Sequence, residues 1–156
     1  MRLVIAAVGH KMPDWVAAGC SEYIKRMPRE LPLSVVEIKP EPRGSKTREQ
    51  LTAAEKSRIT QAIAGCGRII ALDERGQDLT TQQLAQRLEH WMREGGDTAF
   101  LIGGADGLDP ELKDSADEMI RLSSLTLPHA MARLVLCEQL YRAISVIRNH
   151  PYHREG

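Results

Sequence analysis

The chain has 156 residues, long enough for one domain with a real core, and its 42% apolar and 27% charged content is that of a folded globular protein. Its 21 basic and 21 acidic side chains cancel, which excludes a protein that holds nucleic acid by overall positive charge. A nucleic-acid partner would have to be held by a local patch, by shape or by a second copy of the chain.

Residues 3–8 form the longest apolar run near the N-terminus, too short for a membrane span, and Gly9-His10-Lys11 follow it directly, unlike a signal peptide. A mature cytoplasmic chain with no membrane partner is expected. The cysteines Cys20, Cys66 and Cys137 are scattered and form no CxxC pair, which fits small buried apolar groups in a reducing compartment. With a single phenylalanine, the core must rest on Leu, Ile, Val, Ala and Met.

In chain order, residues 2–8 read as a buried strand. Pro13-Asp14-Trp15 open a helix whose apolar face carries Trp15, Val16, Cys20, Tyr23, Ile24 and Met27, ended by Pro28. A second strand covers residues 33–38. Residues 40–46 hold two prolines and a glycine and form a loop. A polar helix over about residues 47–64 closes at Gly65-Cys66-Gly67, and residues 68–73 form a third strand. Thr80 or Thr81 caps the next helix, which ends at Gly95-Gly96.

A fourth strand over residues 98–102 runs into Gly103-Gly104-Ala105-Asp106-Gly107. Pro110 starts a short helix reaching about Leu122, residues 125–127 form a fifth strand, and a last helix spans about residues 130–149, with Leu136, Leu140, Ile144 and Ile147 at helical spacing. Alternation of this kind predicts one α/β domain over residues 1–156, with a largely parallel sheet covered by helices on both faces. Ligands in such sheets sit beyond the C-terminal strand ends, here Gly9-His10, Leu72-Asp73, Gly103-Gly104 and Pro128-His129.

The glycine loop after the fourth strand lets backbone N–H groups approach a ligand, but it also suits a tight turn. It is neither the dinucleotide fingerprint nor a Walker A loop, because no GxGxxG follows the first strand and no GK[ST] exists. The run Ser124 to Pro128 reads as core, although main-chain groups flanked by apolar side chains can hold an adenine ring without any charged signature. Glu138 and Arg142 have the spacing of a surface pair on one helix. His129 can serve as a helix start, and Asp14 and Trp15 build another.

His150 and His153 form H-x-x-H with no further ligand at metal spacing, so no metal is expected. No Ser-His-Asp arrangement is present, since Ser123 and Ser124 lack the nucleophile elbow. The end of the chain, Asn149 to Gly156, is unusual for a tail. Pro151 stiffens it, and Tyr152, His153 and Arg154 set a phenol, an imidazole and a guanidinium side by side.

Together GHKMPDW after the first strand, LIGGADGL, SLTLPH, RLVLCEQLYRA and the closing NHPYHRE resemble the bacterial RlmH family of SPOUT-superfamily methyltransferases, over nearly the whole chain. The resemblance implies an α/β fold with a C-terminal trefoil knot, a feature almost absent from other proteins. It implies S-adenosyl-L-methionine as cofactor and a homodimer as the working form. The implied reaction is methylation at N3 of a pseudouridine in large-subunit (23S) rRNA, within the assembled ribosome.

Carried over by position, the cofactor contacts fall on Leu72 and Asp73, on Gly103 and Gly104, and on Ser123, Ser124, Leu125, Thr126, Leu127 and Pro128. Ala105 stands where the family often has proline. The cofactor loops offer little titratable chemistry, so the catalytic candidates are Tyr152, His153 and Arg154 of the tail and Glu138 of the last helix, with Tyr141 and Arg142 beside it. The tail is expected to complete a cofactor site, either its own or the partner subunit's, and a neutral dimer is expected to need the folded ribosome to present its target. The alternatives are a SPOUT enzyme acting on another rRNA base or on tRNA, and a non-catalytic nucleotide- or RNA-binding α/β module. A Rossmann oxidoreductase is disfavoured by the missing glycine fingerprint.

Overall fold

The computed structural model describes residues 1–154. Five strands build one sheet: β1 (Leu3–Val8), β2 (Leu33–Ile38), β3 (Arg68–Asp78), β4 (Thr98–Ile102) and β5 (Glu118–Arg121). Their order across the sheet is β2-β1-β4-β3-β5, and every pairing is parallel. Five α-helices alternate with them: α1 (Asp14–Arg26), α2 (Arg48–Ala62), α3 (Thr81–Glu94), α4 (Pro110–Ser115) and α5 (His129–Ile147), followed by a 3-10 turn at Pro151–Arg154.

Side chains alternate across a strand, so β1 feeds two cores. Leu3, Ile5 and Ala7 face Val16 and Cys20 of α1, Leu84, Leu88 and Trp91 of α3, and Leu136, Leu140 and Ile144 of α5. Ala6 and Val8 face the opposite layer with Ile59 of α2 and Leu112 of α4. Both faces of the sheet are therefore covered, as the continuous apolar strands require. The single phenylalanine, Phe100, is buried in β4 and meets the Trp91 ring edge-on at 5.9 Å.

Helices α2 and α3 start in the same way. Thr47 and Gln50, and again Thr80 and Gln83, form reciprocal capping boxes in which each side chain bonds the other's backbone N–H. Gly95, at φ 76°, ends α3 in a conformation that a side chain disfavours.

Two expectations are corrected at the C-terminal edge. The fifth strand is Glu118–Arg121, inside the stretch expected to be helical as far as Leu122, and helix α4 stops at Ser115. The expected strand at residues 125–127 is loop, with Leu125 77% exposed. An edge strand of four residues needs only Ile120 buried, so it carries no apolar run to announce it. Its polar ends are tied down instead: Glu118 pairs with Arg87 and accepts a bond from Trp91 Nε1 at 3.0 Å, and Arg121 pairs with Asp78.

Strand β3 also runs past its expected end at Asp73, to Asp78, by way of an irregularity. Leu72 and Gln77 both align with Ile120, so the residues between them bulge out of the ladder. Gly76 makes this possible, because a Cβ there would lie 2.4 Å from the Ile120 carbonyl carbon. Among the described residues no helix is long and apolar enough to cross a membrane.

Candidate active site

A cavity of about 330 Å³ opens beyond the C-terminal ends of β3 and β5, between α3 and α5. Its wall is mostly apolar: Leu72, Leu79, Leu84, Phe100, Ile120, Leu122, Leu127, Val135 and Leu136. A few polar groups converge on it, from Thr80, Thr81, Arg121, Ser123 and Gln139. Apolar walls with sparse polar groups, at a size of roughly 300–1,000 Å³, are the usual features of a small-ligand site. Residues 122–127 belong to neither strand nor helix, so their main-chain N–H and C=O groups stay out of any ladder. The Leu125 N–H is held by Ser123 Oγ at 2.9 Å.

Of the candidate cofactor residues, Leu72, Ser123 and Leu127 line this cavity. Ser124, Leu125, Thr126 and Pro128 are exposed on the same loop, and Pro128 sits at the start of α5. Asp73 is turned to other work: its carboxylate accepts from the Arg75 N–H at 2.9 Å and meets Lys113 Nζ at 3.3 Å. Gly103 and Gly104 lie at the end of central strand β4 but outside the cavity lining. Gly103 packs so closely that a Cβ would lie 2.6 Å from the Gly107 carbonyl carbon. The Gly107 N–H bonds Gly104 O at 3.0 Å, and Arg48 holds the Asp106 carbonyl at 2.9 Å, making a pinned tight turn.

The catalytic candidates gather in a second place. Helix α5 ends in a Schellman motif: Asn149 has φ 56°, its N–H bonds Val146 O at 3.1 Å, and the His150 N–H bonds Ser145 O at 2.8 Å. Pro151 cannot continue the helix, and the chain folds back along α5. Tyr152 then enters a cluster with Tyr23 and Tyr141, at ring separations of 6.2 and 4.7 Å. Its Oη donates to Glu138 Oε2 at 2.9 Å and lies 3.2 Å from Tyr23 Oη. Arg142 Nε donates to the same carboxylate oxygen at 2.8 Å, and its guanidinium sits 4.9 Å from the Tyr152 ring centroid.

Burial and the neighbouring Tyr23 hydroxyl and Glu138 carboxylate push the Tyr152 phenol well above its ordinary value. The phenol is therefore a committed hydrogen-bond donor. Arg154 is exposed and bonds Asn149 Oδ1 at 3.0 Å. His153 is half-buried, with Nδ1 enclosed and unpaired among the described atoms. No group of three or more His, Cys, Asp or Glu side chains among the described residues is placed to hold a metal ion.

The family model described as "Predicted SPOUT methyltransferase" matches residues 1–153. The chain belongs to the SPOUT methyltransferase family. Among its relatives it is 70% identical, over 100% of both chains, to the ribosomal RNA large subunit methyltransferase H of Dechloromonas aromatica. It is 61% identical, over 99% of both chains, to the protein of that name from Paraburkholderia xenovorans. Among solved structures it resembles a probable methylase family protein from Haemophilus influenzae, with a TM-score of 0.59 and 16% identity over 97% of this chain and 69% of that one. A probable methyltransferase from Bordetella pertussis aligns with a TM-score of 0.58 and 16% identity over 92% of this chain and 96% of that one. At such identities these two support the SPOUT fold alone.

In this SPOUT chain the cavity and the tail cluster are separate but adjacent. Glu138 and Gln139 are consecutive on α5, about 100° apart around the helix, so one faces the tail and the other the cavity. Sequence reasoning missed Thr80, Thr81 and Gln139. The threonine pair is a capping signal in its own right, which concealed any second use. Gln139 carries no signal at all beyond its place next to Glu138.

Proposed function

We propose that the chain is one methyltransferase domain that binds S-adenosyl-L-methionine in the cavity beyond β3 and β5. It would methylate N3 of a pseudouridine in large-subunit rRNA within the assembled ribosome, in the cytoplasm. The observation that carries this reading is the 70% identity, over both full lengths, with a relative named as a large-subunit rRNA methyltransferase. The geometry agrees with it: the cavity lies at the C-terminal strand ends and joins Leu72 to the loop of Ser123 and Leu127. The trefoil threading is part of the proposal, and it rests on membership of the SPOUT methyltransferase family.

The cofactor supplies a methyl group on a sulfonium centre. The chain's own residues bind, orient and exclude water. Leu72, Leu122 and Leu127 provide aliphatic faces for a ring, Ser123 and the Thr80–Thr81 pair offer hydroxyls, and Phe100 closes the back. The loop at residues 122–127 offers main-chain groups to the ring edge. Asp73, next to Leu72 in β3, and Gly103 and Gly104, at the end of β4, are included as cofactor contacts on the family resemblance. Ser124, Leu125, Thr126 and Pro128 complete the loop at its exposed lip.

Methyl transfer to a neutral imide nitrogen requires loss of its proton and in-line placement. Tyr152, whose single O–H is given to Glu138, presents only an acceptor lone pair to a base and is unsuited to remove a proton from it. Glu138 and Arg142 hold the phenol in place, while Arg154, exposed at the end of the described chain, is available to a phosphate or to a developing anion.

The working form proposed is a homodimer in which the tail of one subunit completes the site of the other. The exposed Trp15 and Leu125, at 62% and 77%, are the large apolar groups that such an interface would cover. Mixing a subunit lacking residues 151–156 with a Gly104→Val subunit, each inactive alone, should restore activity; an inactive mixture would exclude a shared site. Calorimetry with S-adenosyl-L-methionine tests the central reading. Saturable binding is expected, and its absence would favour a non-catalytic RNA-binding module. Mass analysis of nucleosides from treated ribosomes separates pseudouridine from other rRNA or tRNA targets, and activity on ribosomes should exceed that on naked rRNA.

A further inference from the structure

Gln139 bridges the two parts of the site. Its Oε1 lies 2.8 Å from Thr81 Oγ1, and its Nε2 donates to Glu138 Oε1 at 2.7 Å. The other oxygen of Glu138 accepts from Tyr152 Oη at 2.9 Å and from Arg142 Nε at 2.8 Å. Thr81 and Gln139 line the cavity, whereas Tyr152 belongs to the tail.

We propose that Gln139 is a positioning residue that couples the contents of the cavity to the C-terminal tail, by fixing the hydrogen-bond polarity of Thr81 on one side and of Glu138 on the other. The polarity follows from the chemistry of the groups. A carboxylate only accepts, so the Gln139 amide must turn its NH₂ to Glu138 and its carbonyl to Thr81. The Thr81 hydroxyl must then donate its one proton to that carbonyl. What Thr81 presents to the cavity is a lone pair.

Two consequences follow. At Thr81 the cavity selects a donor, a hydroxyl or an amine, and disfavours a carbonyl or carboxylate oxygen. A donor seated there polarises the Thr81 O–H, strengthens its bond to Gln139 and steadies Glu138 where Tyr152 and Arg142 meet it. By linkage, an ordered tail raises affinity in the cavity by the factor with which the occupant orders the tail. The side-chain chain itself is independent of the occupant's identity; the response to S-adenosyl-L-methionine rests on the cofactor reading above.

Hydrogen exchange of a C-terminal peptide covering residues 150–154 tests the proposal, with a peptide covering β1 as a control for global opening. In the ligand-free protein, Thr81→Val should speed exchange of the tail by about fivefold, although Thr81 does not touch the tail, and Gln139→Met should do at least as much, while β1 stays at its wild-type rate. Wild-type exchange of the tail in Thr81→Val would overturn the proposal, and this variant decides it even if Gln139→Met fails to fold. On addition of S-adenosyl-L-methionine, the wild-type tail should slow by a similar factor, and Gln139→Met should bind with no slowing. Binding without slowing in the wild type would overturn the coupling. A wild type that does not bind would overturn the cofactor reading, and the ligand-free comparison would still decide the role of Gln139.

Discussion

The cavity and the tail cluster stand on one helix and are built by different means. The cavity wall is aliphatic side chains, hydroxyls and open main chain, held in shape by the β3 excursion and its pairing with β5. The tail cluster is Tyr23, Tyr141 and Tyr152 with the Glu138 carboxylate and the Arg142 guanidinium, joined by the Arg26 guanidinium of α1 at 5.4 Å from the Tyr23 ring centroid, held by directed hydrogen bonds and ring contacts. The first is suited to hold a ligand through shape. The second holds a short segment that has little apolar area of its own. Shape failures should therefore be large and local to binding, whereas losses in the cluster should be modest in stability and weigh more on turnover.

The largest effect is expected from Gly76→Ala. A Cβ there would meet the Ile120 backbone at 2.4 Å, and the neighbour is main chain that cannot step aside. Urea denaturation should show a loss of about 3 kcal/mol, together with loss of ligand binding, because Ile120 is part of the cavity wall. Next comes Leu127→Asp, which places a charge in the apolar wall. Calorimetry should show cofactor affinity falling by about a hundredfold, with the ring contacts of the tail intact in the near-ultraviolet spectrum.

Tyr152→Phe probes the other region. It keeps the ring stack and removes the bond to Glu138, so stability should fall by about 1 kcal/mol. Methyl transfer should fall about tenfold, with cofactor affinity changed only a few-fold. A hundredfold loss of affinity instead would mean that the tail is part of the cavity wall.

The smallest effect is expected from pH. The folded state holds the Tyr152 proton more tightly than the unfolded chain does, so its contribution to stability is complete below the ordinary phenol value of about 10 and is lost as pH rises through the folded value above it. Stability measured above pH 10 should decline more steeply in the wild type than in Tyr152→Phe. Equal slopes would remove the physical distinction drawn for this phenol.

Most of the sheet was legible in the sequence because β1 and β4, buried on both faces, read as unbroken apolar runs. Helix α3 was legible through its threonine cap and glycine end. The C-terminal edge was misread for a physical reason. Leu125 and Leu127 belong to a loop, with Leu127 on the cavity wall and Leu125 exposed, and so short an apolar run cannot be told from a strand by periodicity. The true strand, Glu-Met-Ile-Arg, is polar where its side chains reach Arg87, Trp91 and Asp78. The continuation of β3 was silent because its pairing depends on an absent side chain, at Gly76.

The candidate site divides along the same line. The tail's cluster of reactive side chains stood out, but its contact with Glu138 depends on the left-handed turn at Asn149, which composition only hinted at. Ser123 entered through family resemblance, whereas Leu127 also stood in the run Ser124 to Pro128 that reads as core able to flank a ring. Gln139 and Thr81 were invisible, since a glutamine on a helix and a threonine beside a cap are ordinary until the fold sets them 2.8 Å apart.

Methylation of large-subunit rRNA by this chain is tested most directly by mass spectrometry of ribosomal RNA from cells lacking the protein. The predicted result is loss of one methyl group from a single pseudouridine of the large-subunit rRNA, restored by the wild-type chain but not by Leu127→Asp. An rRNA methylation pattern identical to that of wild-type cells would contradict the account.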